Sequence, residues 1–375
     1  MMDARRPPRS GGQIRVLFAG GGTGGHLMPA INIAIELRRQ DSQLQALFVG
    51  RKDGMEKAIV EKFGFEIREI EIAGLKRNPL GIVRFIHKWR KGLSQAKRIM
   101  AEFKPALVVG TGGYVSAPAV RAARKAGIPV FLQEQNSLPG LATRTLSRYA
   151  ERVFIAYENA TRYIDKGKCQ LVGNPVRPDL LDADRDKSYA EFGLDYAKKT
   201  LLVVGGSSGA RGVNYSMLDI IRSNKITDSW QVLWQTGQKD YIDISQALAE
   251  LRFSGKHLAF IFNMPAAYAV ADLIVCRAGA MTLAEIAVWG LPSILIPYPY
   301  ATGDHQTRNA MAFAASGAAI VIPESEMVER LPVVLSELMT DDQKRKSMAA
   351  AARAQAKPDA AGIIAKSILE RINAV

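Results

Sequence analysis

IRVLFAGGGTGGHLMPAINIAIELRR, residues 14–39, decides the fold. A short apolar run (14–20) reads as a buried strand, then come glycines, then an amphipathic helical stretch (29–39). The same order restarts at TLLVVGGSSGARG, 200–212. Around the first copy, ALFVG (46–50), ALVVG (106–110), PVFLQ (129–133) and RVFIA (152–156) read as further strands with helical segments between them. After the second come QVLWQTG (231–237), LAFIF (258–262), LIVCRAG (273–279) and SILIPYP (293–299). Strands that are apolar throughout and alternate with helices predict parallel sheets covered on both faces. The fold class is therefore α/β, with two Rossmann-like, doubly wound domains facing across a cleft. Ligands in such sheets lie beyond the carboxyl ends of the strands.

The expected boundaries are a flexible tail at 1–13, a first domain at 14–178, a second at 179–353, and a C-terminal helix at 354–375 returning to the first domain. GNPVRPDLLDADRDKSYAEFGL (173–194), rich in Pro and Asp, reads as the linker and the entry to the second domain. A length of 375 residues suits two domains at roughly 150 residues each. Hydrophobic residues at 48% and charged residues at 23% exclude wholesale disorder and a collagen-like chain. Two cysteines, Cys169 and Cys276, are too few for a disulfide framework or a cysteine zinc site and suit a reducing compartment. No apolar run reaches the roughly 18 residues that span a bilayer, and no apolar signal-peptide core follows the first dozen residues.

The net charge of +14 is uneven. Residues 1–178 hold 30 Lys and Arg against 14 Asp and Glu, whereas residues 179–375 hold 20 against 22. The first half alone thus calls for an anionic partner: nucleic acid, a phosphate-rich substrate or acidic lipid. Part of the excess lies in GLKRNPLGIVRFIHKWRKGLSQAKRIM (74–100), with eight Lys or Arg and no acid. Ile82, Phe85, Ile86, Trp89 and Leu93 recur there at helical spacing, with Arg84, Lys88, Arg90 and Lys91 between them. A basic amphipathic helix with Trp and Phe fits an anionic membrane surface, the alternative being a core-facing helix with a solvated side. No nucleic-acid module accompanies it, so no nucleic-acid partner is expected.

Gly20, Gly22 and Gly25 satisfy G-x-G-x-x-G between strand and helix, where backbone N–H groups and the helix dipole attract anions. A dinucleotide reader also wants an acid at the end of the second strand, and Arg51 stands there instead. His26 closes the turn and suits a general base, or else merely caps the helix start. GGSSGARG (205–212) is a second phosphate candidate, with Ser207, Ser208 and Arg211 adding donors. Glu134, Gln135 and Asn136 follow a strand end, as do Asp304, His305, Gln306 and Asn309, and both groups suit sugar hydroxyls. In CRAGAMTLAEIAVWGLP (276–292), Thr282 and Glu285 read as a capping box or, for Glu285, as the acceptor of two ribose hydroxyls. The histidines show no metal-ligand spacing, and Asp182, Asp184 and Asp186 read as solvated turn residues.

GGTGGHLMPA, GGYVSAPA, QEQNSLPG, GNPVR, GGSSGAR, CRAGAMTLAE and DHQTRNA, in this order, resemble the MurG family, from about residue 14 to 370. These are peripheral-membrane N-acetylglucosaminyltransferases of the GT-B fold. The resemblance implies inverting transfer of N-acetylglucosamine from UDP-N-acetylglucosamine to the C4 hydroxyl of undecaprenyl-pyrophosphoryl-N-acetylmuramoyl-pentapeptide in peptidoglycan synthesis. It implies no cofactor and no catalytic metal, a place on the cytoplasmic face of the inner membrane, and partners in cell-wall synthesis. It places Thr23, Gly24 and Gly25 by the donor and the acceptor pyrophosphate, and Asn136, Arg177 and Ser207 on the donor. The backbone at Ile261 would meet uracil, Ala280, Met281, Thr282, Leu283, Ala284 and Glu285 would wrap the nucleotide, and Gln306 would contact sugar hydroxyls. His26 and Glu134 are the two candidates for the base. Two features depart from the family pattern: Gln133 replaces a frequent His, and the 300–304 loop is a residue longer than in some members. The same fold also serves a UDP-N-acetylglucosamine 2-epimerase, a glycolipid transferase, or a scaffold that binds the nucleotide sugar without turnover.

Overall fold

The computed structural model describes residues 13–74, 78–206 and 209–374. Most of the expected N-terminal tail, Leu75, Lys76 and Arg77 of the basic segment, and Ser207 and Ser208 lie outside them. The chain divides into two compact units, one of residues 1–133, 141–153 and 365–375, the other of residues 134–140 and 154–364.

The first sheet is built from β1 (Arg15–Ala19), β2 (Gln45–Arg51), β3 (Glu66–Ile70), β4 (Leu107–Gly110), β5 (Val130–Glu134), β6 (Arg152–Ile155) and β7 (Cys169–Leu171), in the order β3-β2-β1-β4-β5-β6-β7. Its helices are α1 (Gly24–Gln40), α2 (Glu56–Lys62), α3 (Pro79–Phe103), α4 (Gly113–Lys125) and α5 (Leu141–Leu146). β1 pairs in parallel with β2 and β4, which places the first glycine turn at the point where the strand order reverses. The centre is apolar on both faces: Val16, Leu17, Phe18, Ile31 and Ile33 have no exposure, and Phe18 stacks on Phe48 at 5.1 Å.

The second sheet holds β8 (Lys199–Val204), β9 (Trp230–Gln235), β10 (Gly255–Leu258), β11 (Leu273–Cys276), β12 (Ser293–Leu295) and β13 (Ala319–Val321). Its order, β10-β9-β8-β11-β12-β13, is parallel throughout. Around it lie α6 (Arg185–Phe192), α7 (Arg211–Arg222), α8 (Tyr241–Ala249), α9 (Met264–Val270), α10 (Ala280–Trp289), α11 (His305–Ala314), α12 (Met327–Thr340) and α13 (Asp342–Ala354). Strand side chains alternate between faces. Leu201 and Val203 accordingly join a core with Trp230, Trp234 and Leu331, while Leu202 and Val204 join another with Tyr268, Ile286 and Ala310.

The last helix, α14 (Ala360–Asn373), has its Arg371 bonded to both oxygens of Glu151 at 2.6 and 3.0 Å. Ser367 accepts from Arg152 at 3.2 Å.

Four local expectations are corrected. The strand sought at 258–262 is Gly255–Leu258, because Ile261 gives its N–H to a side chain and leaves the ladder. Three strands escaped the sequence reading: β3 and β7 lack a long apolar run, and β13 is three residues within AAIVI (318–322). Gly279, not Thr282, is the N-cap of α10, so Thr282 and Glu285 form no capping box. Asp184, within the acidic turn, caps α6 by accepting from Lys187 N at 2.9 Å.

Candidate active site

In the first unit the site residues gather on two turns after β1 and β4. Gly20 leaves no room for a side chain: a Cβ there would lie 1.9 Å from Thr111 Oγ1. A Cβ on Gly21 would lie 2.4 Å from Glu56 Oε1. Gly113, at φ +71°, would put its Cβ 2.2 Å from the Gly21 carbonyl oxygen. The two turns are therefore pressed backbone to backbone, which only glycine permits. Gly22 N donates to Glu56 Oε1 at 2.7 Å, and Thr111 Oγ1 donates to the His26 carbonyl at 2.7 Å. Glu56 is buried and its Oε2 has no hydrogen-bond partner, so its carboxyl is committed to the turn.

Thr23 stands at the N-cap of α1 but its side chain makes no cap bond. Its Oγ1 lies 2.9 Å from His26 Nδ1 instead. Gly24 and Gly25 open the helix with no side chain between solvent and the backbone. His26, half-buried, is the third helical residue.

In the second unit Glu134, Asn136 and Ser137 form one network. Glu134 is buried, and its Oε1 accepts from Asn136 N and Nδ2 at 3.0 and 3.2 Å. Its Oε2 accepts from Gly140 N at 3.1 Å. Asn309, buried on α11, accepts from Ser137 N and Oγ at 3.1 and 3.0 Å and donates to Asn136 Oδ1 at 3.1 Å. The residue that departs from the family pattern, Gln133, is buried in β5.

The other expected site residues belong to the second unit. Arg177 grips Asp179 with Nε and Nη2 at 2.9 and 2.6 Å, which holds the Asp179 carboxyl below its usual range. Ala280, Met281, Thr282, Leu283 and Ala284 make the first turn of α10, and Asn174 Nδ2 donates to the carbonyls of Gln135 and Ala280. Glu285, one turn on and half-buried, accepts from Tyr268 Oη at 2.7 Å. Burial raises its carboxyl to about 7, opposed by that hydrogen bond and by the Arg177 charge. Ile261 N donates to Gln235 Oε1 at 2.9 Å, and Gln235 Nε2 donates to the Gly206 carbonyl at 3.0 Å. Gln306 Oε1 accepts from Tyr298 N at 2.9 Å. Ser207 lies outside the described residues.

The helices that follow glycine turns, α1, α4, α7 and α10, share an electrostatic feature. None has an acid in its first turn. No acid of their own offsets the positive dipole end, which favours an anion there. Three supports were missed by the sequence reading: Glu56, Gln235 and Tyr268. Each holds a motif residue from a different element, and none belongs to a glycine motif itself. Among the described residues no three His, Cys, Asp or Glu side chains could together hold a metal ion.

The glycosyltransferase family 28 N-terminal domain matches residues 16–155, and the C-terminal domain of the same family matches residues 200–363. A UDP-N-acetylglucosamine--N-acetylmuramyl-(pentapeptide) pyrophosphoryl-undecaprenol N-acetylglucosamine transferase of Desulforamulus reducens is 40% identical, covering 95% of this chain and 98% of its own. A crystal structure of Acinetobacter baumannii MurG superposes with a TM-score of 0.74 at 30% identity, over 95% of this chain and 99% of that one. The UDP-GlcNAc 2-epimerase of Neisseria meningitidis superposes with a TM-score of 0.67 over 95% of this chain and 99% of that one, but at 15% identity it shares the fold alone. With both family domains present in order and this identity along nearly its whole length, the chain belongs to glycosyltransferase family 28, among the MurG transferases.

Proposed function

We propose that this chain transfers N-acetylglucosamine from UDP-N-acetylglucosamine to the C4 hydroxyl of undecaprenyl-pyrophosphoryl-N-acetylmuramoyl-pentapeptide, with inversion, in peptidoglycan synthesis. Similarity along almost the entire chain to transferases of that name is the observation that carries the reading. In this reaction the C4 oxygen attacks the anomeric carbon from the face opposite the diphosphate. The anomeric carbon–oxygen bond breaks, UDP leaves with its electron pair, and the C4 proton passes to a base.

His26 is the base in this reading. With the ring proton on Nδ1, the bond at 2.9 Å is donated to Thr23 and Nε2 is the basic nitrogen of the ring. Glu134 instead organises its loop, since its two oxygens already receive three N–H bonds. The first turns of α7 and α10, together with the Ser207 hydroxyl, hold the charge of the departing diphosphate. Glu285 takes the ribose, the Ile261 backbone the uracil, and Arg177, Asn136 and Gln306 the remaining donor groups. Thr23, Gly24 and Gly25 meet the acceptor pyrophosphate. The functional boundary between acceptor and donor domains falls near residue 178, with the last helix serving the first domain.

The acceptor is a membrane lipid, and we assign α3 to the anionic surface of the cytoplasmic face of the inner membrane, where other cell-wall enzymes would meet it. Among the described residues no helix is long and apolar enough to cross a membrane. The first half of α3 exposes Leu80, Ile82, Val83 and Ile86 between Arg84, Lys88 and Arg90. Its second half is anchored by buried Ala96, Ile99 and Met100.

The test is UDP release from UDP-N-acetylglucosamine with and without the lipid-linked muramoyl-pentapeptide, in EDTA. Release that depends on the lipid is expected. Epimer formed from donor alone, or donor binding without turnover, would overturn the reading.

A further inference from the structure

Tyr268 is fully buried on α9, within the core cluster that includes Cys276 and Ile286. A core that needed only volume there would be served by Phe, which buries no polar atom. The tyrosine hydroxyl instead donates to Glu285 Oε2 at 2.7 Å, across seventeen residues of chain. Burial and the Glu285 charge keep the phenol protonated, its pKa raised far above the ordinary value, so it is a permanent donor. A glutamate side chain has three rotatable bonds, and without a fixed partner it samples several rotamers. Fixing one carboxylate oxygen from the core leaves the remaining lone pairs aimed in one direction.

Resting on the assignment of Glu285 to the ribose, we propose that Tyr268 is the positioning residue that presents the Glu285 carboxylate to the ribose hydroxyls of the donor. Donor recognition in this chain then depends on a side chain that does not touch the donor. The charged form of Glu285 is the one that accepts from hydroxyls. The groups that set its charge are Tyr268 from α9 and Arg177 from the segment before α6, while Cys276 from β11, which feels the Glu285 charge, stays a neutral thiol because burial raises it to about 12. The Tyr268 bond favours the charged form, as does Arg177, while burial opposes it.

The test compares Tyr268→Phe, Glu285→Ala and the double variant, each checked for folding by its melting temperature. Tyr268→Phe is expected to raise the donor KM by roughly ten- to a hundredfold, the range of one hydrogen bond to a charged group, with the acceptor KM unchanged. The acid limb of kcat/KM for the donor should move to higher pH in Tyr268→Phe, because the carboxyl loses a bond that favours its ionisation. In the Glu285→Ala background the Tyr268→Phe change should add nothing to the donor KM. A Tyr268→Phe enzyme with wild-type donor KM and pH limb, beside a raised KM in Glu285→Ala, would overturn the inference alone. So would an equal KM penalty from Tyr268→Phe in both backgrounds. An unchanged donor KM in Glu285→Ala would instead overturn the ribose assignment.

Discussion

At His26 and Glu134 the same sequence signal, a polar residue just past a buried strand, resolves into two different situations. His26 Nδ1 meets the Thr23 hydroxyl, and the Glu134 carboxylate accepts from the N–H groups of Asn136 and Gly140. Replacing His26 with Ala should lower kcat by about 10²–10⁴-fold with the protein still folded, the usual yield of a general base. Glu134→Ala should instead unfold more easily, by about 1–3 kcal/mol, since a buried carboxylate and its three charge-assisted hydrogen bonds are lost, and its kcat–pH profile should keep the wild-type shape. Stopped assays across pH and thermal melts of both variants separate the roles. A kcat within tenfold of wild type in His26→Ala would remove it as the base.

At the scale of elements, α3 is two half-helices in one. From Gly92 onward it packs through Ala96, Ile99 and Met100, while before that point Leu80, Ile82, Val83 and Ile86 stand exposed and Phe85 and Trp89 are partly covered. Val83→Asp and Ile86→Asp should therefore change the melting temperature little, as exposed substitutions do. Each should weaken binding to vesicles of anionic lipid by about tenfold or more, given roughly 1.5–3 kcal/mol for burying such a side chain. Sedimentation with vesicles measures this, and wild-type binding by both variants would exclude α3 as the membrane face. The helical spacing of α3 was legible in the sequence, but which stretch of it stays exposed was not, because spacing does not say what lies opposite. The strands show a similar limit. Central strands such as β1, β4, β8 and β11 are covered on both faces and read as apolar runs. The strands missed or misplaced, β3, β7, β10 and β13, are the four sheet edges. An edge borders solvent and tolerates polar residues, as in EIREI of β3, so its pattern fades. The glycine turns were legible because only glycine fits them, whereas Glu56, Gln235 and Tyr268 support the site from ordinary-looking positions.

For the whole molecule, pH acts through two sets of carboxyls with opposite sign. Asp342 is held low by Lys199 and Lys346, Glu151 by Arg371, Asp179 by Arg177 and Glu71 by Lys91. A carboxyl lowered in the folded state contributes stability that is present above its unfolded pKa and lost as pH falls through the folded one. These pairs should make the melting temperature drop below the ordinary carboxylate range, more gently in high salt because the groups are exposed. Glu285 does the reverse. Its folded value of about 7 exceeds the model-peptide 4.5, so its contribution is fully present at low pH and lost as pH rises between the two. The melting temperature of the wild type relative to Glu285→Gln should therefore climb as pH is lowered through that window. A difference independent of pH would contradict the burial that raises this carboxyl. The return of the last helix has a consequence of another kind. Arg371 and Ser367 close onto Glu151 and Arg152, and residues 365–375 belong to the first compact unit. During synthesis on the ribosome the strands of that unit emerge first, yet its final contacts wait until the chain has been made through Arg371. The unit translated earliest is thus the last to be completed, and a chain arrested before α14 would leave it open to proteolysis.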